Sequence, residues 1–411
     1  MAQHRDMSNR FDSCADGPLM RARPAAAHWS GVFAMSLCVF ALIASEFMPV
    51  SLLTPIAASL EVTQGMAGRG IAVSGAFAVL ASLSVSALAG GMDRKTLLLG
   101  LTALMAVSGA VVALAPSYPV YMAGRALIGI VIGGFWAMSA ATAMRLVPPG
   151  QVPRALAIFN GGNALATVIA APLGSYLGSL VGWRGAFFSL VPVALIALAW
   201  QWLSLPAMHA GPSRAPGSGQ VFALLRRRPV ALGMAACGIF FMGQFALFTY
   251  VRPFLETVTR VNVSTLSLIL LVIGVAGLAG TALIGPVLKR GLYAPLIGIP
   301  VLMAGTAVAL IAFGTGVAAV AALLGLWGLM ATAAPVGWWS WIAEAMPRNA
   351  EAGGGLMVAV IQLAIALGST LGGLLFDAAG YASTFAASAA MLLLAAFLAF
   401  LSSRSPARRA A

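Results

Sequence analysis

The sequence predicts an all-α membrane protein of twelve transmembrane helices, arranged as two six-helix halves. Three observations carry that expectation. Apolar residues run in continuous stretches of about twenty, the length a helix needs to cross a hydrocarbon core about 30 Å thick. Only 8 % of the 411 residues are charged and 61 % are hydrophobic, with a mean hydropathy of +0.98, whereas soluble domains carry about 25 % charge. Basic residues also crowd into alternate connections between the stretches. The runs are unbroken rather than alternating, which favours helices over a β-barrel.

In chain order, a polar tail (1–28) precedes span 1 at 30–53. No cleavage site follows this span, so it is expected to be retained. Spans 2 to 6 are read at 69–91, 97–115, 119–144, 154–180 and 185–205, completing a first half over 29–205. A Pro/Gly/Ser-rich stretch and then Arg226-Arg227-Arg228 interrupt the hydrophobicity, and 206–228 is read as a central loop. Spans 7 to 12 follow at 229–251, 264–285, 293–313, 317–342, 353–376 and 383–403. They make a second half over 229–403, with 404–411 as a short tail.

Charge orients the map. With the N-terminus inside, the internal tails and loops hold 18 of the 23 basic residues, among them Arg94, Lys95, Arg145, Arg154, Lys289 and Arg290. External segments hold Arg69, Arg184, Arg252 and Arg260, and Arg125 falls within span 4. That bias follows the positive-inside rule and places both termini in the cytoplasm. The net charge of +13 is therefore a topology signal, and no nucleic-acid partner is expected. Cys14, Cys38 and Cys237 share no metal or disulfide spacing, and His4, His28 and His209 lie in tails or loops. Without a metal set, a nucleophile–base pair or a phosphate loop of the G-x4-G-K-[ST] type, neither an enzyme nor an ATP-driven pump is expected. No cofactor other than a coupling proton is expected.

Glu46 is the acidic residue set deep in an apolar run. A carboxylate there costs roughly 2.5–3.5 kcal/mol on insertion scales and commonly marks an ion or proton route. Span 1 runs outward, placing Glu46 about 24 Å along it; span 4 runs inward, placing Arg125 about 9 Å from its outer end. The two lie at similar depth and are expected to communicate, directly or through water. A permanent structural ion pair, or Glu46 reaching the outer interface, is the competing reading. Glu256, Glu344, Glu351 and Asp377 read as caps and interface charges near helix ends.

The halves also repeat. Gly174, Gly182, Trp183 and Phe187 find Gly372, Gly380, Tyr381 and Phe385 at a constant offset of 198 residues. Two parallel six-helix halves around a midplane site resemble the architecture of the major facilitator superfamily. Asp93-Arg94-Lys95 resembles that superfamily's loop motif after span 2. Arg125-x3-Gly129-x3-Gly133 resembles its proton-antiporter motif, and Ala171-Pro172-x-Gly174 its antiporter motif, with Ala171 in place of the usual glycine. Together with Glu46-Phe47 and Gly182-Trp183-Arg184, the chain is similar over its whole length to twelve-helix drug:proton antiporters and sugar exporters. Phe135-Trp-Ala-Met-Ser-Ala140, Met144-Arg-Leu-Val-Pro-Pro149, Gly243-Gln-Phe-Ala246, Phe248-Thr-Tyr-Val-Arg-Pro253, Pro335-Val-Gly-Trp338 and Val358-Ala-Val-Ile-Gln-Leu-Ala364 resemble bacterial purine ribonucleoside exporters more closely.

The resemblance implies a proton-coupled exporter of purine ribonucleosides such as inosine, working by alternating access as a monomer in the bacterial inner membrane. Export of sugars or hydrophobic drugs, or a transport-inactive membrane sensor, are the alternatives. It also implies a conformational role for Asp93, Arg94 and Lys95, with Asp93 latched to the basic residues beside it, and a coupling role for Glu46 and Arg125. Substrate candidates are polar or aromatic residues at depth. Asn163 and Gln362 lie about 13 Å from the inner ends of spans 5 and 11, in nearly equivalent places. Gln244 and Tyr250 on span 7 add an amide and a phenol, and Trp136 and Trp338 offer flat surfaces. Amides both donate and accept, which suits a neutral polar substrate, though buried membrane amides also serve as interhelical bonds. Trp338, Trp339 and Trp341 equally read as an interfacial belt.

Overall fold

A computed structural model describes residues 27–88, 92–208, 224–346 and 350–404. Most of the predicted tails and of the central loop, and the end of the predicted span 2 at 89–91, lie outside the described residues.

Among the described residues, ten helices are long and apolar enough to cross a membrane. Two of these, Arg154–Ser204 and Gly353–Ser403, are 51 residues long. Each would measure about 76 Å if straight, more than twice the hydrocarbon core. They are broken at Gly182 and Gly380, whose φ angles of 72° and 75° lie in the left-handed region that glycine enters without penalty. Each is therefore two crossings, giving twelve spans. The breaks stand at the 198-residue offset read from the sequence.

The same repeat extends into backbone detail. Span 1 (Trp29–Ser51) runs into a short helix, Leu53–Ser59, and span 7 (Arg228–Phe248) into Val251–Thr257. A positive-φ residue then reverses the chain in each half, Glu61 (54°) and Arg260 (56°). Span 2 (Gln64–Leu88) opens with Thr63 accepting from the Met66 amide at 3.1 Å, and span 8 (Val263–Arg290) with Asn262 accepting from Thr265 at 2.8 Å. These side-chain caps satisfy N–H groups that a helix start leaves unpaired. Span 2 thus begins five residues before the expected 69, which places Arg69 inside the helix rather than in a loop.

The remaining spans are Arg94–Ala113 (span 3), Tyr118–Arg145 (span 4), Val152 to the break at Gly182 (span 5), and from there through Leu190–Ser204 (span 6). In the second half they are Tyr293–Phe313 (span 9), Val317–Ala345 (span 10), Ala350 to Gly380 (span 11) and onward to Ser403 (span 12). Spans 2 and 4 pack closely because a Cβ at Gly129 or Gly133 would overlap the carbonyls of Ser74 or Ala78. Spans 8 and 10 meet in the same way at Gly280 and Gly328. Such small-residue contacts replace the hydrophobic drive that is missing between helices in lipid.

The halves meet where span 2 packs on span 11 and span 5 on span 8. At the end where spans 1 and 7 finish, hereafter the distal end, polar contacts seal this boundary. Asp377 accepts from Thr63 Oγ1 at 2.6 Å and from the Gly65 amide at 3.0 Å. The Arg252 guanidinium donates to the Ser51 carbonyl and pairs with Glu256 at 2.8 Å. Asp377 was expected to be an end charge; it caps a helix of the opposite half.

Two outcomes check this packing. Gly280→Ala pushes a methyl into the Leu329 carbonyl and should cost about 1–3 kcal/mol. It should lower the thermal midpoint in detergent, whereas Gly100→Ala, which meets nothing within 4 Å, should leave it unchanged. Cysteines replacing Thr63 and Asp377 should cross-link under mild oxidation, read as a gel shift reversed by reductant.

Candidate functional site

Arg125 anchors the first half. Only 1 % of it is exposed, and a buried guanidinium needs acceptors for its fixed fork of donors. Nε donates to the Gly70 carbonyl at 3.2 Å, one terminal nitrogen to the Ser45 carbonyl at 2.8 Å, and the other to Ser74 Oγ at 3.1 Å. Spans 1, 2 and 4 are thereby joined by one side chain. The small residues Gly70 and Ser74 let span 2 bring its backbone to the guanidinium.

Glu46 is the residue after Ser45, so the bond from Arg125 to the Ser45 carbonyl also fixes the register of the carboxylate. Arg125 bonds the backbone beside Glu46, and its charge acts on Glu46 through space. No ion pair joins Glu46 to Arg125 among the described residues, so what links them is the backbone bond at Ser45 and the field of the guanidinium.

The 198-residue offset pairs Glu46-Phe47 with Gln244-Phe245. These repeats face each other: Phe47 lies 6.3 Å from Phe245 and 6.2 Å from Phe248, centroid to centroid. This three-ring cluster, completed by Phe245 and Phe248 at 6.1 Å, sits beside both polar residues. Gln244 and Gln362 are 9 % and 7 % exposed, and the Oε1 of each has no hydrogen-bond partner among the described residues. A buried amide oxygen without a donor is costly, so the pair is suited to a ligand that brings N–H or O–H groups.

The other candidates are distributed differently. Asn163 is half-buried on span 5, next to Gly162, where span 5 presses on the Ser36 carbonyl of span 1. Trp136 is half-buried, edge-on to Phe159 at 6.2 Å. Two residues expected to offer free surface are instead built into packing. The Tyr250 hydroxyl donates to the Ser369 carbonyl at 2.8 Å, and its ring stacks on Phe376 at 5.2 Å. Its hydroxyl lies where a Cβ on Gly68 or Gly373 would stand, so the glycines of both halves make room for it at the distal seal. Trp338 is 2 % exposed, held between Phe240 at 6.5 Å and Trp341 at 6.1 Å. Trp341 is likewise buried, which removes both from an interfacial belt; Trp339 alone of the three is exposed.

Asp93 also departs from expectation. Its carboxylate accepts from the Lys95 amide at 2.7 Å, as the N-cap of span 3, and from the Met208 amide at 3.0 Å. The Arg94 amide returns a bond to the Met208 carbonyl at 3.1 Å. Asp93 therefore ties the start of span 3 to the segment leaving span 6 through backbone groups, rather than through the basic side chains of Arg94 and Lys95. A carboxylate at a helix start gains more from unpaired N–H groups and the positive dipole end than from solvated neighbours.

Twelve apolar crossings in two repeats, with a carboxylate, a guanidinium and two unsatisfied amides enclosed near their boundary, define a multi-pass membrane transporter. The model for the Major Facilitator Superfamily matches residues 35–358, and the chain belongs to that family, whose members here are transporters rather than enzymes. It is 68 % identical over 382 residues to the "Transcription regulatory protein OpdE" of Pseudomonas aeruginosa, covering 92 % of this chain and 95 % of that one. It is 40 % identical over 377 residues to the "Purine ribonucleoside efflux pump NepI" of Salmonella typhimurium, covering 92 % and 94 %. Among solved structures, a bacterial homologue of the human lysosomal transporter Spinster, inward-facing and unoccupied, superposes with a TM-score of 0.73 at 17 % identity over 92 % of this chain and 99 % of that one. A mutant of the nucleoside transporter NupG gives 0.73 at 14 % identity over 91 % and 98 %.

The Arg125 anchor makes a direct prediction. Arg125→Met removes three bonds and strands the Ser45 carbonyl, whose helical partner position is Pro49 and offers no N–H, at a cost of about 1–3 kcal/mol. Thermal unfolding in detergent should show a larger loss for Arg125→Met than for Ser74→Ala, which removes one of the three bonds.

Proposed function

We propose that this protein exports small neutral polar solutes, purine ribonucleosides such as inosine, across the bacterial inner membrane in exchange for protons. The observation that carries the reading is Glu46: a lone carboxylate between Ser45, whose carbonyl takes a bond from the fixed Arg125 guanidinium, and Phe47, whose ring packs across the boundary of the halves on Phe245 and Phe248. A residue whose charge bears on contact between the halves can link its own protonation to alternating access. Inward proton movement then drives the solute outward, since a membrane potential contributes about 2.3 kcal/mol per charge per 100 mV. The basic ends of the spans lie in the cytoplasm, so the distal seal of Asp377, Arg252 and Tyr250 belongs to an inward-facing state. The acceptor-rich amides Gln244 and Gln362 favour a neutral donor-bearing cargo over a cationic drug. The 40 % relative named for purine ribonucleoside efflux supports the choice of nucleoside.

A second reading rests on the relative named a transcription regulatory protein. In that reading the bundle binds its ligand as a membrane sensor without moving it. The two readings separate in inside-out vesicles loaded against a proton gradient. Labelled inosine should accumulate, and collapse of the gradient should release it. Arabinose and a cationic dye should compete poorly. Glu46→Gln should abolish gradient-driven accumulation, by tenfold or more on the scale of a lost charge-assisted contact. Inosine binding without accumulation would favour the sensor, and dye transport without inosine transport would defeat the nucleoside reading.

A further inference from the structure

We propose that the first half binds one anionic phospholipid where span 3 begins and span 6 finishes, with an acyl chain seated between the two spans and the headgroup on Arg94 and Lys95. The seat is a groove of about 340 Å³ lined by Leu99 of span 3 and by Leu195, Leu198, Ala199 and Trp202 of span 6. The four residues of span 6 recur at i, i+3, i+4 and i+7, so they form one stripe along a single helix face. That stripe is about 10 Å long. It lies on the outside of the bundle, with Leu195 50 % and Trp202 64 % exposed. Ala199, in the middle of the stripe, keeps the floor of the groove low. Trp200 donates its indole N–H to Ser30 at 2.8 Å, whereas Trp202 stands on the groove at the basic end of the span.

Charge selects the headgroup. Lys95 stands one turn before Leu99 on the same face of span 3, and helical side chains lean toward the N-terminus, so its ammonium belongs at the mouth of the groove. The acid that could neutralise the basic pair is already engaged. Asp93 accepts from the Lys95 and Met208 amides at 2.7 and 3.0 Å, and neither basic side chain bonds a carboxylate among the described residues. The Arg94 amide also donates to the Met208 carbonyl, so the basic pair is tied to the segment that leaves span 6. A lipid phosphate brings the acceptors and the negative charge this pair lacks, and the cytoplasmic leaflet that basic ends face is anionic. The second repeat supplies a comparison within the chain. At the 198-residue offset Arg94 and Lys95 become Leu292 and Tyr293, and Ala199 becomes Phe397. Lys289 and Arg290 close span 8 instead. Charge and low floor thus occur together in one half and are replaced together in the other.

Native mass spectrometry of the purified full chain tests the site, after delipidation in detergent and titration with phosphatidylglycerol or phosphatidylcholine of matched chains. Wild type should retain one phosphatidylglycerol with at least about tenfold preference over phosphatidylcholine, since each basic residue near an anionic headgroup contributes about fivefold. Arg94→Gln with Lys95→Gln should abolish the preference. Ala199→Phe, which copies the second repeat and leaves the charges in place, should weaken retention of both lipids at least about fivefold through lost van der Waals contact. Lys289→Gln with Arg290→Gln removes equal charge elsewhere and should keep the preference. A wild type without preference overturns the proposal, and so does a preference lost equally in the two double variants, which would make it general surface charge. Phosphatidylglycerol retention untouched by Ala199→Phe overturns the seat for the chain. Displacement of the lipid by millimolar glycerol phosphate also overturns it, by making a soluble anion the ligand. A monodisperse size-exclusion profile and an unchanged thermal midpoint exclude misfolding as the cause of a loss.

Discussion

A guanidinium enclosed among apolar helices must find acceptors, because apolar side chains offer its donors none. Arg125 finds three, on the main chain of span 1, the main chain of span 2 and the side chain of Ser74. Much of the first half is organised by that requirement. Span 2 approaches closely because span 4 presents Gly129 and Gly133 to it. Span 1 is held at Ser45, which sets the angle at which Glu46 and Phe47 leave the helix. The charge also biases the carboxylate without being joined to it. A direct ion pair would have committed Glu46 to one partner; an arginine whose donors go to Gly70, Ser45 and Ser74 leaves the carboxylate free for others.

The second half repeats the backbone of the first but not its chemistry. Paired breaks at Gly182 and Gly380, paired short helices and paired positive-φ turns show that the architecture was copied to the level of single residues. At the offset, however, Glu46 becomes Gln244 and Arg125 becomes Leu323. At these two positions the first half carries charge and the second a neutral amide and an apolar side chain. Phe47 of the first half packs on Phe245 and Phe248 of the second, so these charged and neutral members of the repeat stand beside one boundary. The distal seal acts on the same boundary. Asp377 can be bonded to the start of span 2 only while the halves are closed at that end.

Much of this was legible beforehand because bilayer physics writes itself into composition. Span number, approximate limits and the repeat follow from hydropathy, charge bias and an offset between glycines. Two of the proposed site residues, Glu46 and Arg125, announced themselves as charges where charge is expensive. The helix starts were less legible. Span 2 begins at Gln64 because Thr63 caps it, a signal weaker than the drop in hydropathy that suggested 69. Asp93 was misread for a related reason: proximity in sequence to Arg94 and Lys95 suggested an ion pair, while the unpaired amides of a helix start offered it better partners.

The sequence by itself determined that this is a twelve-span, duplicated membrane protein with one acid and one arginine at matching depth, because length, polarity and periodicity are properties of a single segment in lipid. Only the tertiary structure decided which polar groups meet. Tyr250 and Trp338 carry chemistry that suits a binding site, yet packing from both sides consumes them, one as a wedge at the distal seal and one in the second half's core. Gln362 and Gln244 carry no more signal in sequence than other membrane amides. What marks them is that the assembled helices bury their carbonyl oxygens without a donor and bring Gln244's neighbour Phe245 against Phe47, relations between distant segments that no local pattern encodes.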